Sequence, residues 1–202
     1  GFPSPDFTDA HEAHGNPFNA EHVAKTKAIM GIPDEPFWAP NELVAQCREH
    51  AVARGAAFIS AYDTAIAHAE GKHGFDRCWA EPQGDAVSDL MPTFAVDSTL
   101  ATRQAIQQCI EASASALPGL LIGSADLTGN TGVKVKSVGA QSKQLPTGQQ
   151  VYFGIREHAM GAAMVGMALH GGSIPVGGTF FVFADYMRPA IRLAALSKAR
   201  VI

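Results

Sequence analysis

The sequence predicts an α/β fold: a parallel sheet with helices on both faces, preceded by a helical linker. Three observations carry this. Short apolar runs at 120–122, 151–153 and 173–176 alternate with helix-forming stretches, and strand–helix–strand order builds parallel sheets. Val151, Tyr152 and Phe153 read as a buried strand ending at Gly154, and a helix-forming run from Glu157 to Leu169 then stops at Gly171-Gly172. From Asn41 to about Glu70 a single long helical pattern stands with no strand beside it.

Taken in order, residues 1–15 are polar, contain Pro3 and Pro5, and read as loop. Asn19 caps a helix from Ala20 to Met30, which Gly31 ends. Ile32 to Pro40 holds three prolines and Phe37-Trp38 and reads as extended. Asn41 then caps the long helix. Leu43, Cys47, Ala51, Phe58, Tyr62 and Ile66 form its apolar stripe. Gly55 weakens its middle by ~1 kcal/mol relative to alanine. Gly71 to Pro92 reads as a linker. Asp97-Ser98-Thr99 caps a helix from about Leu100 to Leu117, and Pro118-Gly119 turns the chain into the strand at 120–122. Gly123 to Thr128 follows at the strand's carboxyl end, where open α/β sheets bind ligands. Residues 129–150 are polar and glycine-rich, carry Lys134, Lys136 and Lys143, and read as a mobile loop over that edge. Phe180 to about Leu196 reads as a helix in two parts, divided at Pro189. Arg200 to Ile202 opens a further apolar stretch. The divisions are therefore 1–40, 41–92 and 93–202.

The totals exclude several functions. Of 202 residues, 47% are hydrophobic and 17% charged, which favours a packed core over disorder. A formal charge of −4 argues against a nucleic-acid binder. No run approaches the ~20 apolar residues of a membrane span. Cys47, Cys78 and Cys109 lack metal or redox spacing and read as reduced thiols of a cytoplasmic protein. His11 and His14 are too close for the zinc-protease pattern, and no metal site is predicted.

A few residues invite chemistry. Glu157 stands where a strand end meets a helix start; read alone, it is also an ordinary first-turn acid complementing the helix dipole. Arg103 near a helix N-terminus opposes that dipole and needs a partner, or else lies on a solvated face. Asp126 suits a turn, a cap or a cleft. Phe180, Phe183 and Tyr186, spaced by three, suit a buried helix face or a platform for a flat ligand.

Phe-Gly-Ile-Arg-Glu-His-Ala-Met-Gly (153–161), followed by Gly-Gly-Thr-Phe-Phe-Val-Phe-Ala-Asp-Tyr (177–186), resembles the pyrimidine-binding domain of transketolase, a thiamine diphosphate enzyme. The likeness extends to His-Glu-Ala-His-Gly (11–15), Ala-Thr-Arg (101–103) and Gly-Ser-Ala-Asp-Leu (123–127). It implies an incomplete thiamine diphosphate-binding fold. Residues 1–40 would be the C-terminal tail of the diphosphate-binding domain, 41–92 a helical interdomain linker, and 93–202 the N-terminal part of the pyrimidine-binding domain.

The resemblance also implies roles. Glu157 would activate the aminopyrimidine by hydrogen bonding to its far ring nitrogen. Phe180, Phe183 and Tyr186 would surround the pyrimidine, with Ile155 adding apolar contact. Asp126 and Leu127 would line the cofactor cleft, and His14 would lie near cofactor and substrate. Arg103 would take the substrate phosphate with its planar fork. Asn130 stands where many members have a phosphate-binding serine, and its amide can still donate. The thin helix at Gly161, Ala162, Ala163 and Gly166 suits a subunit interface or tight internal packing.

The activity implied is transfer of a two-carbon ketol group between sugar phosphates. Mg2+ or Ca2+ would be bound by a part of the enzyme absent from this chain, because no Gly-Asp-Gly block is present. A homodimer or a partner chain would carry the diphosphate site, and this chain alone, read as a fragment, would be inactive. The alternatives are a non-catalytic or split-subunit assembly module, or a related thiamine enzyme such as dihydroxyacetone synthase.

Overall fold

The computed structural model describes residues 1–69, 72–80 and 87–202. It divides into two compact units, Gly1–Ile66 and Ala67–Ile202.

In the first unit the opening residues are not plain loop. They make successive turns and a 3-10 helix, His11–His14, a short local form that needs little sequence signal. Phe7 stacks on Phe18 with ring centroids 4.7 Å apart and meets the His22 ring edge-on at 4.7 Å, fastening these turns to the first helix. That helix, α1 (Ala20–Met30), has the expected ends. Asn19 Oδ1 accepts the His22 N–H at 2.9 Å, and Gly31 leaves it at φ 68°. Residues 32–40 form neither helix nor strand, and Phe37 makes a left-handed turn at φ 55° within the stretch expected to be extended.

Helix α2 (Asn41–Ala67) differs from expectation in two ways. Asn41 is its first helical residue rather than its cap, because the Val44 N–H already bonds to the Pro40 carbonyl at 3.0 Å. Its apolar stripe is also uncovered: Leu43, Phe58 and Tyr62 are exposed, and no residue of the helix is buried. Periodicity states that a face can pack, not that anything packs on it.

In the second unit, α3 (Lys72–Trp79) is helical where a linker was read. Gly71 and residues 81–86 of that linker lie outside the described residues. Helix α4 (Thr102–Ala114) starts two residues later than expected. Asp97 adopts a left-handed turn (φ 66°) instead of capping. Gln104 closes the helix start, its Oε1 accepting the Ala101 N–H at 3.2 Å while its own N–H reaches the Ala101 carbonyl at 2.8 Å.

Then come β1 (Leu120–Ser124), β2 (Gln150–Tyr152), α5 (Glu157–His170) and β3 (Ile174–Gly178). A 3-10 turn (Phe181–Phe183) leads into α6 (Ala184–Leu196). The sheet order is β2-β1-β3 and both pairings are parallel. Ile202 extends the pattern beyond β3: its N–H bonds to the Pro175 carbonyl at 3.1 Å, and its carbonyl accepts the Gly177 N–H at 2.8 Å.

Helices cover both faces. On one, Ile110 and Ala114 of α4 pack with Leu120, Ile122 and Val176. On the other, Met160 and Met164 of α5 pack with Ala125, Phe153 and Met187. Gly177 permits this second layer, since a Cβ there would lie 2.5 Å from Met164 Sδ. Tyr152 is exposed, so the β2 run is only partly buried. Pro189 does not divide the last helix. It lies inside α6, and the break falls earlier, at the 3-10 turn. One missing N–H removes one helical bond, and Ala190 beside it is buried against α5.

Residues 129–150 are not a free lid. Val133 and Val135 are buried in the α4-side core. Gln150 Oε1 accepts the Val135 N–H at 3.2 Å, and Gln150 Nε2 donates to the Ile122 carbonyl at 2.9 Å. The Glu111 carboxylate accepts the Lys136 and Ser137 N–H groups at 2.8 Å each. Two alternating valines in a polar segment were enough to anchor it. Burial raises the Glu111 pKa, but the Lys136 and Ser137 hydrogen bonds and the Lys136 charge outweigh it, leaving the group below its ordinary 4.5. A depressed carboxylate stabilises the fold above its unfolded pKa and loses that contribution as pH falls through the folded value. Wild type is therefore expected to exceed Glu111→Gln in Tm at pH 7, with the gap narrowing as the pH falls below 4.5. A pH-independent gap would refute this.

Candidate active site

The carboxyl ends of the three strands deliver three segments to one edge: 125–132 after β1, 153–157 after β2 and 179–186 after β3. Ser124 joins them. It is opposite Tyr152 on one side and Gly178 on the other. Its carbonyl accepts the Phe153 N–H at 3.2 Å. Its hydroxyl donates to the Gly178 carbonyl at 2.6 Å and accepts the Leu127 N–H at 3.1 Å.

That last bond closes a turn in which exposed Asp126 is left-handed, φ 64°. The Leu127 carbonyl in turn accepts the Asn130 N–H and the Thr131 hydroxyl, each at 2.9 Å. Gly132, at φ 77°, then lies so close to the Arg103 carbonyl that any Cβ would overlap it. Asn130 and Arg103 are thus brought to the same rim. Arg103 is exposed and has no ion-pair partner among the described residues. Gly132→Ala combines a left-handed strain of ~1–2 kcal/mol with overpacking of ~1–3 kcal/mol. It is expected to lower Tm clearly; an unchanged Tm would show that the loop does not need this contact.

Glu157 is the first residue of α5. It is 9% exposed, and among the described residues its carboxylate has no hydrogen bond or ion pair. The chain reaches it through Gly154 at φ 66°, a turn that Arg156 holds by donating from Nη1 to the Phe153 carbonyl at 3.1 Å. One turn further along α5, a Cβ on Gly161 would lie 2.9 Å from Ala190 Cβ and 3.0 Å from Met187 Cε. On α6, Ala190 is one turn beyond Tyr186, and Met187 follows Tyr186 directly. Glu157 and the aromatics Phe180, Phe183 and Tyr186 each follow the carboxyl end of a parallel strand, β2 and β3, so they lie at the same edge of the sheet.

The rings form a ladder. Phe180 and Phe183 stack with centroids 5.9 Å apart at 21°, and Phe183 and Tyr186 follow at 6.2 Å and 33°. Phe180 is 40% and Tyr186 66% exposed, so they are not the buried helix face that their spacing also allowed. Ile155, just before Glu157, is exposed as well, and Leu127 is half-buried. His14 belongs to the first unit, where it is exposed at the end of the 3-10 turn.

Three features escaped the sequence reading. Ser124 stood inside the Gly-Ser-Ala-Asp-Leu block (123–127), which gave it no role of its own. The Thr128 and Thr179 hydroxyls are buried and lack partners among the described residues, at a cost of ~1–3 kcal/mol each for such a group. Nothing in composition marks them.

A carboxyl on a 9% exposed residue, without a hydrogen bond or ion pair among the described residues and at the same sheet edge as open rings, suits a flat nitrogen heterocycle that can share a proton. Among the described residues no group of three or more His, Cys, Asp or Glu can hold a metal ion. No described helix is long and apolar enough to cross a membrane.

Two family profiles match the chain: the transketolase thiamine diphosphate binding domain over residues 1–80, and the transketolase pyrimidine binding domain over residues 98–202. Transketolase 10 of Craterostigma plantagineum is 39% identical over 211 residues, covering 100% of this chain and 31% of its own length. The solved transketolase of Leishmania mexicana superposes with a TM-score of 0.75 at 32% identity, over 94% of this chain and 29% of that one. A Pichia stipitis transketolase solved with sedoheptulose-7-phosphate gives 0.74 at 29% identity, over 94% of this chain and 30% of its own. The chain thus spans about a third of the relatives it matches. With the second profile alone covering more than half of the residues, this chain belongs to the transketolase family.

Proposed function

We propose that this chain forms the pyrimidine-side half of a transketolase active site, serving ketol transfer between sugar phosphates. The carrying observation is Glu157: 9% exposed, without a hydrogen bond or ion pair among the described residues, and at the same sheet edge as the aromatic segment. The residues present fit the aminopyrimidine end of thiamine diphosphate, which when bound supplies a carbon nucleophile for a two-carbon ketol unit. Glu157 holds or shares a proton at the far ring nitrogen. Phe180, Phe183 and Tyr186 pack on the ring and exclude water. Ile155, Asp126 and Leu127 line the same cleft.

Arg103 and Asn130 take the substrate phosphate, an assignment supported by the Gly132 approach to the Arg103 carbonyl two residues after Asn130 and by a guanidinium with no ion pair among the described residues. His14 serves catalysis and substrate binding from the tail of the diphosphate-binding domain, which we assign to 1–40. Residues 41–92 are then the linker and 93–202 the pyrimidine-binding part; the second profile, beginning at residue 98, supports the later boundary, whereas the first runs on to residue 80, within the stretch we assign to the linker.

A second subunit or partner chain supplies the diphosphate site and its Mg2+ or Ca2+. Ala162, Ala163 and Gly166 support this by leaving one face of α5 thin and exposed, whereas Gly161 is used internally. The cytoplasm suits the three unpaired cysteines, and cell fractionation reads that directly. The decisive assay is ketol transfer from a ketose phosphate to an aldose phosphate by the complete gene product, with and without thiamine diphosphate. No cofactor-dependent transfer would overturn the reading. The chain by itself is expected to bind the cofactor weakly and to show no transfer.

A further inference from the structure

We infer that Ser124 is a positioning residue whose hydroxyl sets the backbone of Asp126 and, through Gly178, the approach to Phe180; this rests on the cofactor cleft proposed above. Ser124 is fully buried and makes three bonds to three different segments. Its carbonyl holds the segment leading to Glu157. Its hydroxyl donates to the Gly178 carbonyl, two residues before Phe180. The same oxygen accepts the Leu127 N–H and so closes the turn on Asp126.

Asp126 is not glycine, and its left-handed backbone at φ 64°, which aspartate tolerates better than most residues, is still less stable than an ordinary conformation unless a contact holds it. The bond from Leu127 spans that residue directly. Without the hydroxyl, the Leu127 N–H and the Gly178 carbonyl each lose a partner. Asp126 is then free to relax towards an ordinary conformation, carrying its carboxylate away from the cleft. The Phe153 bond uses the Ser124 backbone and survives substitution, so Glu157 stays where it is. Ser124 therefore tunes the Asp126 and Phe180 sides of the cleft separately from the acid.

The test is a double-substitution cycle in the complete enzyme, reading thiamine diphosphate affinity by calorimetry on the apoenzyme and, separately, kcat and KM. Ser124→Ala is expected to weaken cofactor binding about tenfold, the scale of the hydrogen bonds lost. Asp126→Ala should weaken it too, and the two losses should not add, because the first already misplaces what the second removes. Ser124→Cys, of similar size with a weak donor and acceptor, should recover part of the affinity, and it serves if the alanine variant does not fold. Fully additive losses, or Ser124→Ala and Ser124→Cys both binding as wild type does, would overturn the inference. If instead Asp126→Ala and Glu157→Gln both leave affinity and turnover unchanged, the cofactor cleft itself is wrong, an outcome distinct from the failure of Ser124.

Discussion

Replacing Glu157 by glutamine in the complete enzyme is expected to lower kcat by about 10²–10⁴-fold, the usual contribution of a positioned acid or base. Glutamine keeps the size and loses the exchangeable carboxyl proton. Because the carboxylate has no hydrogen bond or ion pair among the described residues, removing it breaks no such interaction within the chain. The fold should therefore survive. A first-turn acid contributes only ~0.3–1 kcal/mol through the helix dipole, and a nearly buried one somewhat more. A variant with an intact circular dichroism spectrum, near-native Tm and lost turnover would fit the assignment. A variant that turns over at the wild-type rate would sink it, and one that simply unfolds would show that Glu157 is structural.

The second large effect is expected at Arg103. Its charge opposes the N-terminal dipole of α4, and among the described residues it has no ion pair to offset that. Its removal should leave stability unchanged or slightly improved. The function should suffer instead: a hydrogen bond to a charged group is worth about 1.5–3 kcal/mol. Arg103→Ala is thus expected to raise KM for a sugar phosphate by about 10–100-fold. Because the phosphate is remote from the bond being made, kcat should change little. Lysine should recover only part of the affinity, lacking the planar fork. The control is the unphosphorylated sugar, for which Arg103→Ala should make no difference. A loss of equal size for both sugars would refute a phosphate role.

Much of the second unit was legible because its signals are local. Strand, glycine and helix at 151–171, the turn at 118–119 and the apolar runs of β1 and β3 each obey one rule read over a few residues. What failed depended on tertiary partners. The polarity of 129–150 suggested a free loop, but Val133, Val135, Glu111 and Gln150 bind it to the sheet and α4, and of those four Glu111 lies outside the segment and Gln150 at its end. The α2 stripe predicted a packed face and none is buried. Pro189 suggested a break, yet contact with α5 lets the helix run through it. For the site, motifs supplied Glu157 and the rings. Ser124 became visible only with three strand ends side by side.

The glycine at 161 brings two helices close enough that the acid on one and Tyr186 on the other, with the turn that leads into it, should behave as parts of one stiff block. Shape adjustment around a guest would then fall to the opposite wall, the turn at 125–132, rather than to the acid or the rings. A bulkier residue at 161 would act as a wedge, prying the two walls of a clamp apart from a full helical turn away without touching anything the clamp holds.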